Sequence, residues 1–125
     1  MNRKYLSLND ITAYKSAFHL SNYVWKIVRE FDYLAQKTVG TQLVRAVDSI
    51  SANIAEGFGR KTKNDKIKFY NYSYGSLKES LDWNEKARVR ELIPRKDYQN
   101  ILEELQKLAK EINTLIKFTR ERMEK

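Results

Sequence analysis

Apolar residues recur every three or four positions along most of the chain. The last third shows this best, because the intervals between its apolar positions alternate between three and four, as in packed helices. These positions are Tyr98, Ile101, Leu105, Leu108, Ile112, Leu115 and Thr119. One proline and four glycines in 125 residues leave few places to turn, and Val, Ile and Thr form no alternating runs. The chain is therefore expected to be all-α.

Four helices are predicted in one domain that covers residues 1–125. They are placed at about residues 10–34, 38–57, 63–92 and 95–122. Asp10 is a suitable cap for the first helix. The "QKTVGT" segment is expected to be a short break, with Lys37 or Thr38 opening the second helix. Gly57 and Gly59 are expected to supply the positive φ of a helix terminus, and Pro94 separates the last two helices. Long amphipathic helices with short connections predict an antiparallel up-and-down four-helix bundle.

The predicted core positions follow the helical period. On the first helix they are Tyr14, Ala17, Ser21, Val24, Val28 and Phe31, widened by Phe18 and Trp25. On the second they are Val39, Leu43, Ala46, Val47, Ile50 and Ile54. The third helix has a stripe of Ile67, Tyr70, Tyr74, Leu77 and Leu81, and a second row of Phe69, Tyr72, Ser76 and Trp83. Because a bundle helix needs only one stripe, the second row suggests contact with another subunit.

Charge and composition limit the partners of the chain. Twenty-four Lys and Arg against sixteen Asp and Glu give a net charge of +8, which suits a polyanion such as RNA or DNA or simply a well-solvated surface. The chain has no cysteine, so thiolate metal sites and disulfides are excluded. No apolar run suits a signal peptide or a membrane span. A cytoplasmic protein without a membrane partner is expected.

A row of polar residues lies about a quarter-turn from the apolar stripe of the second helix. A neighbouring helix should cover part of this row, so its polar groups need partners. Glu79 on the third helix is the expected partner of Arg45, and Gly75 and Ser76 are expected to let the backbones approach. We name the whole set the polar seam: Gln42, Arg45, Ser49, Asn53, Glu56, Gly57, Gly75, Ser76 and Glu79.

The alternative is that the seam is an active site, with Glu56 and Glu79 doing acid–base work beside Arg45. No nucleophile has an adjacent base in this sequence. His19, the only histidine, has no acidic residue three positions before it, as a carboxylate metal site in a bundle would require. We therefore predict no enzymatic activity, no catalytic or metal-binding residue and no cofactor.

The segments "QLVRAVDSISANIAEGFGR" and "GSLKES" resemble a known family. They are similar to the bacterial four-helix bundle proteins encoded in intervening sequences of 23S ribosomal RNA, also labelled S23 ribosomal proteins. The resemblance covers nearly the whole chain. It implies an antiparallel four-helix bundle that assembles into a ring-like homopentamer. It also implies kinship with the accessory proteins of diversity-generating retroelements, which form basic pentamers that bind a reverse transcriptase and nucleic acid.

Two functions follow as alternatives: a homo-oligomer that binds RNA or DNA through its basic ends, or an adaptor for a protein such as a reverse transcriptase. In an up-and-down bundle the end of helix two, the start of helix three and the end of helix four meet. The candidate phosphate-binding residues at that end are Arg60, Lys61, Lys63, Lys66, Lys68, Lys117, Arg120 and Arg122. Arg3, Lys4 and Lys125 are expected at the same end, whereas Lys86, Arg88, Arg90, Arg95 and Lys96 lie at the opposite one.

Overall fold

Four long helices dominate residues 7–122, the part of the chain that this computed structural model describes. They are α1 (Thr12–Val28), α2 (Thr41–Phe58), α3 (Lys63–Val89) and α4 (Arg95–Arg122). A 3-10 turn at Leu8–Asp10 precedes α1, and a helical turn at Tyr33–Ala35 with a π-helical segment at Gln36–Gly40 leads into α2. Residues 7–122 contain no strand, so the all-α prediction is confirmed.

The helices form an antiparallel bundle in which each packs against its neighbours in the chain and α1 also packs against α4. The hydroxyl of Tyr23, late in α1, donates to Asp97 in the first turn of α4 at 2.8 Å. The ammonium of Lys63, at the start of α3, reaches the carbonyl of Arg120 near the end of α4 at 3.4 Å. Within residues 7–122, none of the helices carries an apolar stretch of the length that a bilayer crossing requires.

The boundary between the first two helices differs from the prediction. Helix α1 ends at Val28, and the carboxylate of Asp32 caps the next helical segment by accepting the amide of Ala35 at 2.9 Å. The short break predicted at "QKTVGT" is helical instead. A Cβ on Gly40 would lie 2.7 Å from Cγ1 of Val28, so this glycine permits close helix packing rather than a break.

The glycines of the "GFG" segment do not supply a positive φ. Gly57 lies inside α2, and Gly59, which follows α2, has a φ of −79°. Within residues 7–122, only Glu91 after α3 has a positive φ, of 58°. A Cβ on Gly57 would lie 2.7 Å from Cε1 of Tyr70, so the glycine makes room for this ring. Burial raises the pKa of Tyr70 to about 12.

The cores of α2 and α4 follow the predicted stripes closely, whereas the buried face of α1 is rotated. All six predicted core residues of α2 are buried. On α1 the most buried positions include Ala13 and Leu20, which the prediction missed. Phe18 and Trp25, which were expected to widen the core, are 48% and 54% exposed. Two large aromatic side chains of α1 therefore lie outside the core of the bundle.

Helix α3 buries a more polar stripe than predicted. Its buried residues are Tyr70, Ser73, Leu77, Ser80, Asn84 and Ala87. The hydroxyl of Ser73 donates to the carbonyl of Ile50 on α2 at 2.8 Å, and that of Ser80 donates to the carbonyl of Ser76 at 2.8 Å. Small side chains let α2 and α3 approach, and a serine can bury its hydroxyl because it finds a carbonyl.

The same substitution at two glycines should change stability in opposite directions. Gly57→Ala should destabilise the protein by about 1–3 kcal/mol, because the new methyl group overlaps the ring of Tyr70. Gly75→Ala should stabilise it by about 0.5–1 kcal/mol, since a Cβ there has no neighbour within 4 Å and alanine favours a helix. Urea unfolding monitored by circular dichroism measures both, and equal effects at the two sites would contradict this packing.

Candidate nucleic-acid interface

The polar seam of α2 lies at the surface rather than in the core. Arg45 and Glu56 are exposed, whereas Gln42, Ser49 and Asn53 are half-buried. The hydroxyl of Ser49 donates to the carbonyl of Arg45 at 2.8 Å, and the amide of Asn53 donates to the carbonyl of Ser49 at 2.9 Å. These hydrogen bonds satisfy the polar groups within α2 and do not reach α3.

The expected partners on α3 do not complete the seam. Glu79 is exposed, and no ion pair joins it to Arg45; its carboxylate instead accepts a long bond from Trp83 at 3.4 Å. Gly75 faces open space, so it does not bring α2 and α3 together. The predicted Arg45–Glu79 pair is therefore wrong. The bond from Ser73 to Ile50 links the two helices instead, and a lone serine in the sequence gave no signal of it.

The predicted basic end is built from three helix termini. The last turns of α2 and α4 and the first turn of α3 meet there, because neighbouring helices run antiparallel. All eight candidate cations belong to these termini or to the short α2–α3 connection. Four carboxylates, of Asp10, Glu56, Asp65 and Glu121, accompany them in the described residues. Arg3, Lys4 and Lys125 lie outside the described residues.

Two of the eight cations hold helix ends in place. The ammonium of Lys66 donates to the carbonyl of Phe58 at 2.7 Å, and partial burial lowers the pKa of this lysine. Lys63 reaches the carbonyl of Arg120 at 3.4 Å. The last carbonyls of a helix lack partners within it, and they attract positive charge. Lys66 and Lys63 thus complete the C-termini of α2 and α4, a role that the sequence did not reveal.

Two arginines at this end lie against aromatic rings. The guanidinium of Arg60 lies 4.5 Å from the ring centroid of Phe69 and 2.9 Å from the carboxylate of Glu56. The guanidinium of Arg122 lies 5.7 Å from the ring centroid of Phe118. Such contacts orient both side chains. The charge of Arg60 is compensated by Glu56, whereas Arg122 has no ion-pair partner within residues 7–122.

The other four cations are exposed, and their side chains have no ion-pair partner within residues 7–122. We name them the free cations: Lys61, Lys68, Lys117 and Arg120. At the opposite end Lys86 pairs with Asp82 and Arg88 pairs with Glu85, whereas three further cations have no ion-pair partner in the described residues: Arg90, Arg95 and Lys96. Unpaired positive charge thus lies at both ends of the bundle, and the free cations are the part of it at the end formed by α2, α3 and α4.

Residues 7–122 contain no group of three or more His, Cys, Asp and Glu placed to hold a metal ion. His19 is exposed on α1.

A surface groove of about 390 Å³ lies between α1 and α2 and is lined by Trp25, Val28, Arg29, Gln36, Lys37, Gly40, Thr41, Val44 and Arg45.

The fold and this charge distribution define a basic, all-α four-helix bundle. The chain belongs to the 23S rRNA-intervening sequence protein family, whose model matches residues 9–114. The resemblance found in the sequence is thereby confirmed.

A solved structure supports the fold. It is a protein of unknown function from the S23 ribosomal protein family of Bacteroides thetaiotaomicron VPI-5482. It is 23% identical to this chain and superposes on it with a TM-score of 0.77. The match covers 85% of this chain and 99% of the other protein. This similarity shows the fold alone. Comparison with curated proteins gives no significant match.

The position of the seam gives a second prediction. Arg45→Met should change the free energy of unfolding by less than about 0.5 kcal/mol, because the guanidinium is exposed and unpaired with Glu79. Ser73→Ala should cost about 1 kcal/mol, since it removes a buried hydrogen bond between α2 and α3. Chemical denaturation of both variants checks this. A larger loss of unfolding free energy for Arg45→Met than for Ser73→Ala would show that the polar seam does stabilise the fold.

Proposed function

We propose that this protein is a non-enzymatic, homo-oligomeric four-helix bundle that binds RNA or DNA through its basic end. The observation that carries the proposal is the group of free cations, which are exposed and not compensated by carboxylates. Phosphate contacts by such side chains supply affinity that depends on salt but not on sequence.

Phosphates fit these side chains better than base edges do. Three of the four free cations are lysines, whose flexible stems carry a point charge rather than the planar fork that reads guanine. Binding is therefore expected to fix the protein on a nucleic-acid backbone with little preference for sequence.

Assembly with further copies of this chain is the second part of the proposal. Phe18 and Trp25 expose about half of their surface on α1, and Trp25 borders the groove of about 390 Å³. Exposed aromatic residues beside an apolar groove are typical of interfaces. The family resemblance implies a pentamer, and a closed ring would bring the basic ends of all subunits together.

The second row of α3, which suggested an interface in the sequence, supports a subunit contact less strongly than the aromatic side chains of α1 do. Phe69, Ser76 and Trp83 are half-buried, on the side of α3 where Ser73 meets α2. Tyr72 is the member of this row that stays 50% exposed. We therefore assign the subunit contact to the aromatic side chains of α1.

An adaptor that binds a protein, such as a reverse transcriptase, is the alternative function. It is favoured by the same groove, whose apolar floor includes Val28 and Val44 and whose rim carries Arg29, Lys37 and Arg45. This partner would bind through apolar contact, so its affinity would depend only weakly on salt, in contrast to nucleic acid.

Removal of the four free cations tests nucleic-acid binding. Replacing Lys61, Lys68, Lys117 and Arg120 with glutamine should weaken binding to RNA and DNA of any sequence. It should also flatten the slope of log affinity against log salt by about 0.7–0.9 for each phosphate that the variant no longer neutralises. Fluorescence anisotropy across a salt series measures both quantities.

The matched control removes four charges from the opposite end of the bundle. Glutamine at Arg88, Arg90, Arg95 and Lys96, which lie outside the groove, changes the net charge equally and should leave most of the slope intact. Equal effects of the two quadruple variants would mean that only the overall charge matters. An unchanged slope in the first variant would refute the basic end as the interface.

The oligomer is tested by sedimentation equilibrium. The protein should sediment as a closed assembly at micromolar concentration, and Trp25→Glu should shift it toward the monomer, because a buried unpaired carboxylate is costly at an interface. Tyr33→Glu is the control, since Tyr33 is 72% exposed and lies outside the groove. A wild-type protein that is monomeric over this range would contradict the assembly.

A further inference from the structure

Three side chains form a continuous stack at the edge of the basic end. The guanidinium of Arg60 lies over the ring of Phe69 at 4.5 Å. Phe69 meets the ring of Tyr72 edge to face, with ring centroids 5.3 Å apart. We name Arg60, Phe69 and Tyr72 the aromatic stack. It runs from the connection after α2 along the first turns of α3.

The outer ring of this stack is available to a ligand. Tyr72 is 50% exposed, and its hydroxyl makes no hydrogen bond within residues 7–122. Phe69 is half-buried and covered on one side by Arg60, so it supports Tyr72 rather than meeting solvent freely. A supported ring loses little conformational freedom when a planar group stacks on it.

Two of the free cations adjoin the stack. Lys61 follows Arg60 directly, and Lys68 lies one helical turn before Tyr72 on α3. Of the carboxylates adjoining these residues in the sequence, that of Glu56 is paired with Arg60, and that of Asp65 lies one turn before Phe69. A carboxylate repels a phosphate but not an uncharged base. The rings of the aromatic stack therefore suit bases, and the two adjoining lysines suit phosphates.

We propose that the aromatic stack is a binding site for unpaired bases, so that the basic end prefers single-stranded RNA or DNA to duplex. This inference rests on the proposed function and adds its substrate class. Exposed aromatic rings beside a positively charged surface are the means by which proteins hold single strands, because every base has a face that can stack. Bases inside a duplex already stack on each other and do not offer that face.

The site is tested with three probes of equal length and comparable charge per strand. They are an oligothymidine of about 20 nucleotides, the same backbone without bases, and a duplex of that length. The wild-type protein should bind the oligothymidine about tenfold more tightly than the abasic strand, since only the oligothymidine has bases that can stack on Tyr72. Competition measured by anisotropy gives the ratios.

Variants of Tyr72 separate stacking from charge. Tyr72→Ala and Tyr72→Leu should lose most of the preference for the oligothymidine, whereas Tyr72→Trp should keep it. Binding of the abasic strand and the salt slope should stay as in the wild type, because no charge is removed. Tyr33→Ala is the matched control, since Tyr33 is an exposed tyrosine beneath Lys37 that lies outside the basic end.

The outcomes distinguish this inference from the proposed function. Salt-dependent binding with equal affinity for oligothymidine and abasic strand would overturn the stacking site and leave phosphate binding intact. Full affinity of Tyr72→Ala or Tyr72→Leu for the oligothymidine would do the same. Failure of all three probes to bind would overturn both proposals.

Discussion

The close approach of α2 and α3 is the contact from which the rest of the arrangement follows. Gly57 leaves room for the ring of Tyr70, and Ser73 bonds to the backbone of α2 at Ile50. Any larger residue at Gly57 meets an atom of Tyr70 below 3 Å, so the contact tolerates little change. It fixes how far along α2 the first turns of α3 lie. The chain reverses within the few residues between Phe58 and Lys63.

That register decides what each basic residue near the reversal can do. Lys66 lies beside the last turn of α2, where it meets the carbonyl of Phe58, and Arg60 lies over the ring of Phe69. Residues one or two positions away, such as Lys61 and Lys68, extend into solvent. A run of lysines that looks uniform in the sequence is thus divided by the fold into helix caps and free charges.

The helices that bury a single apolar stripe were predictable from the sequence, whereas a polar buried face was not. The stripes of α2 and α4 were correct because large aliphatic residues repeat without competition. Helix α3 buries Ser73, Ser80 and Asn84, while its apolar period favours Tyr74 and Leu81, which are half-buried. Whether a serine is buried depends on a carbonyl that can accept its hydroxyl, and no periodicity shows that. The first helix boundary was wrong for a related reason: the "QKTVGT" segment was expected to be a short break, but it is helical, and Gly40 within it makes room for Val28. The basic end was located by topology alone, since antiparallel helices with short connections must bring these termini together.

The interactions of the basic residues also differ in how easily a phosphate could replace them. Arg60 and Glu56 form an ion pair one turn apart, with side chains 42% and 51% exposed, and such pairs contribute about 0.3–0.5 kcal/mol. A charge-assisted bond to phosphate contributes more, so Arg60 can leave Glu56 at little cost. Lys66 differs, because it is partly desolvated and satisfies a helix-end carbonyl that would otherwise lack a partner. Moving Lys66 to a ligand would leave that carbonyl unsatisfied. Lys66 is therefore expected to keep its contact with Phe58, whereas Arg60 is available to bind phosphate.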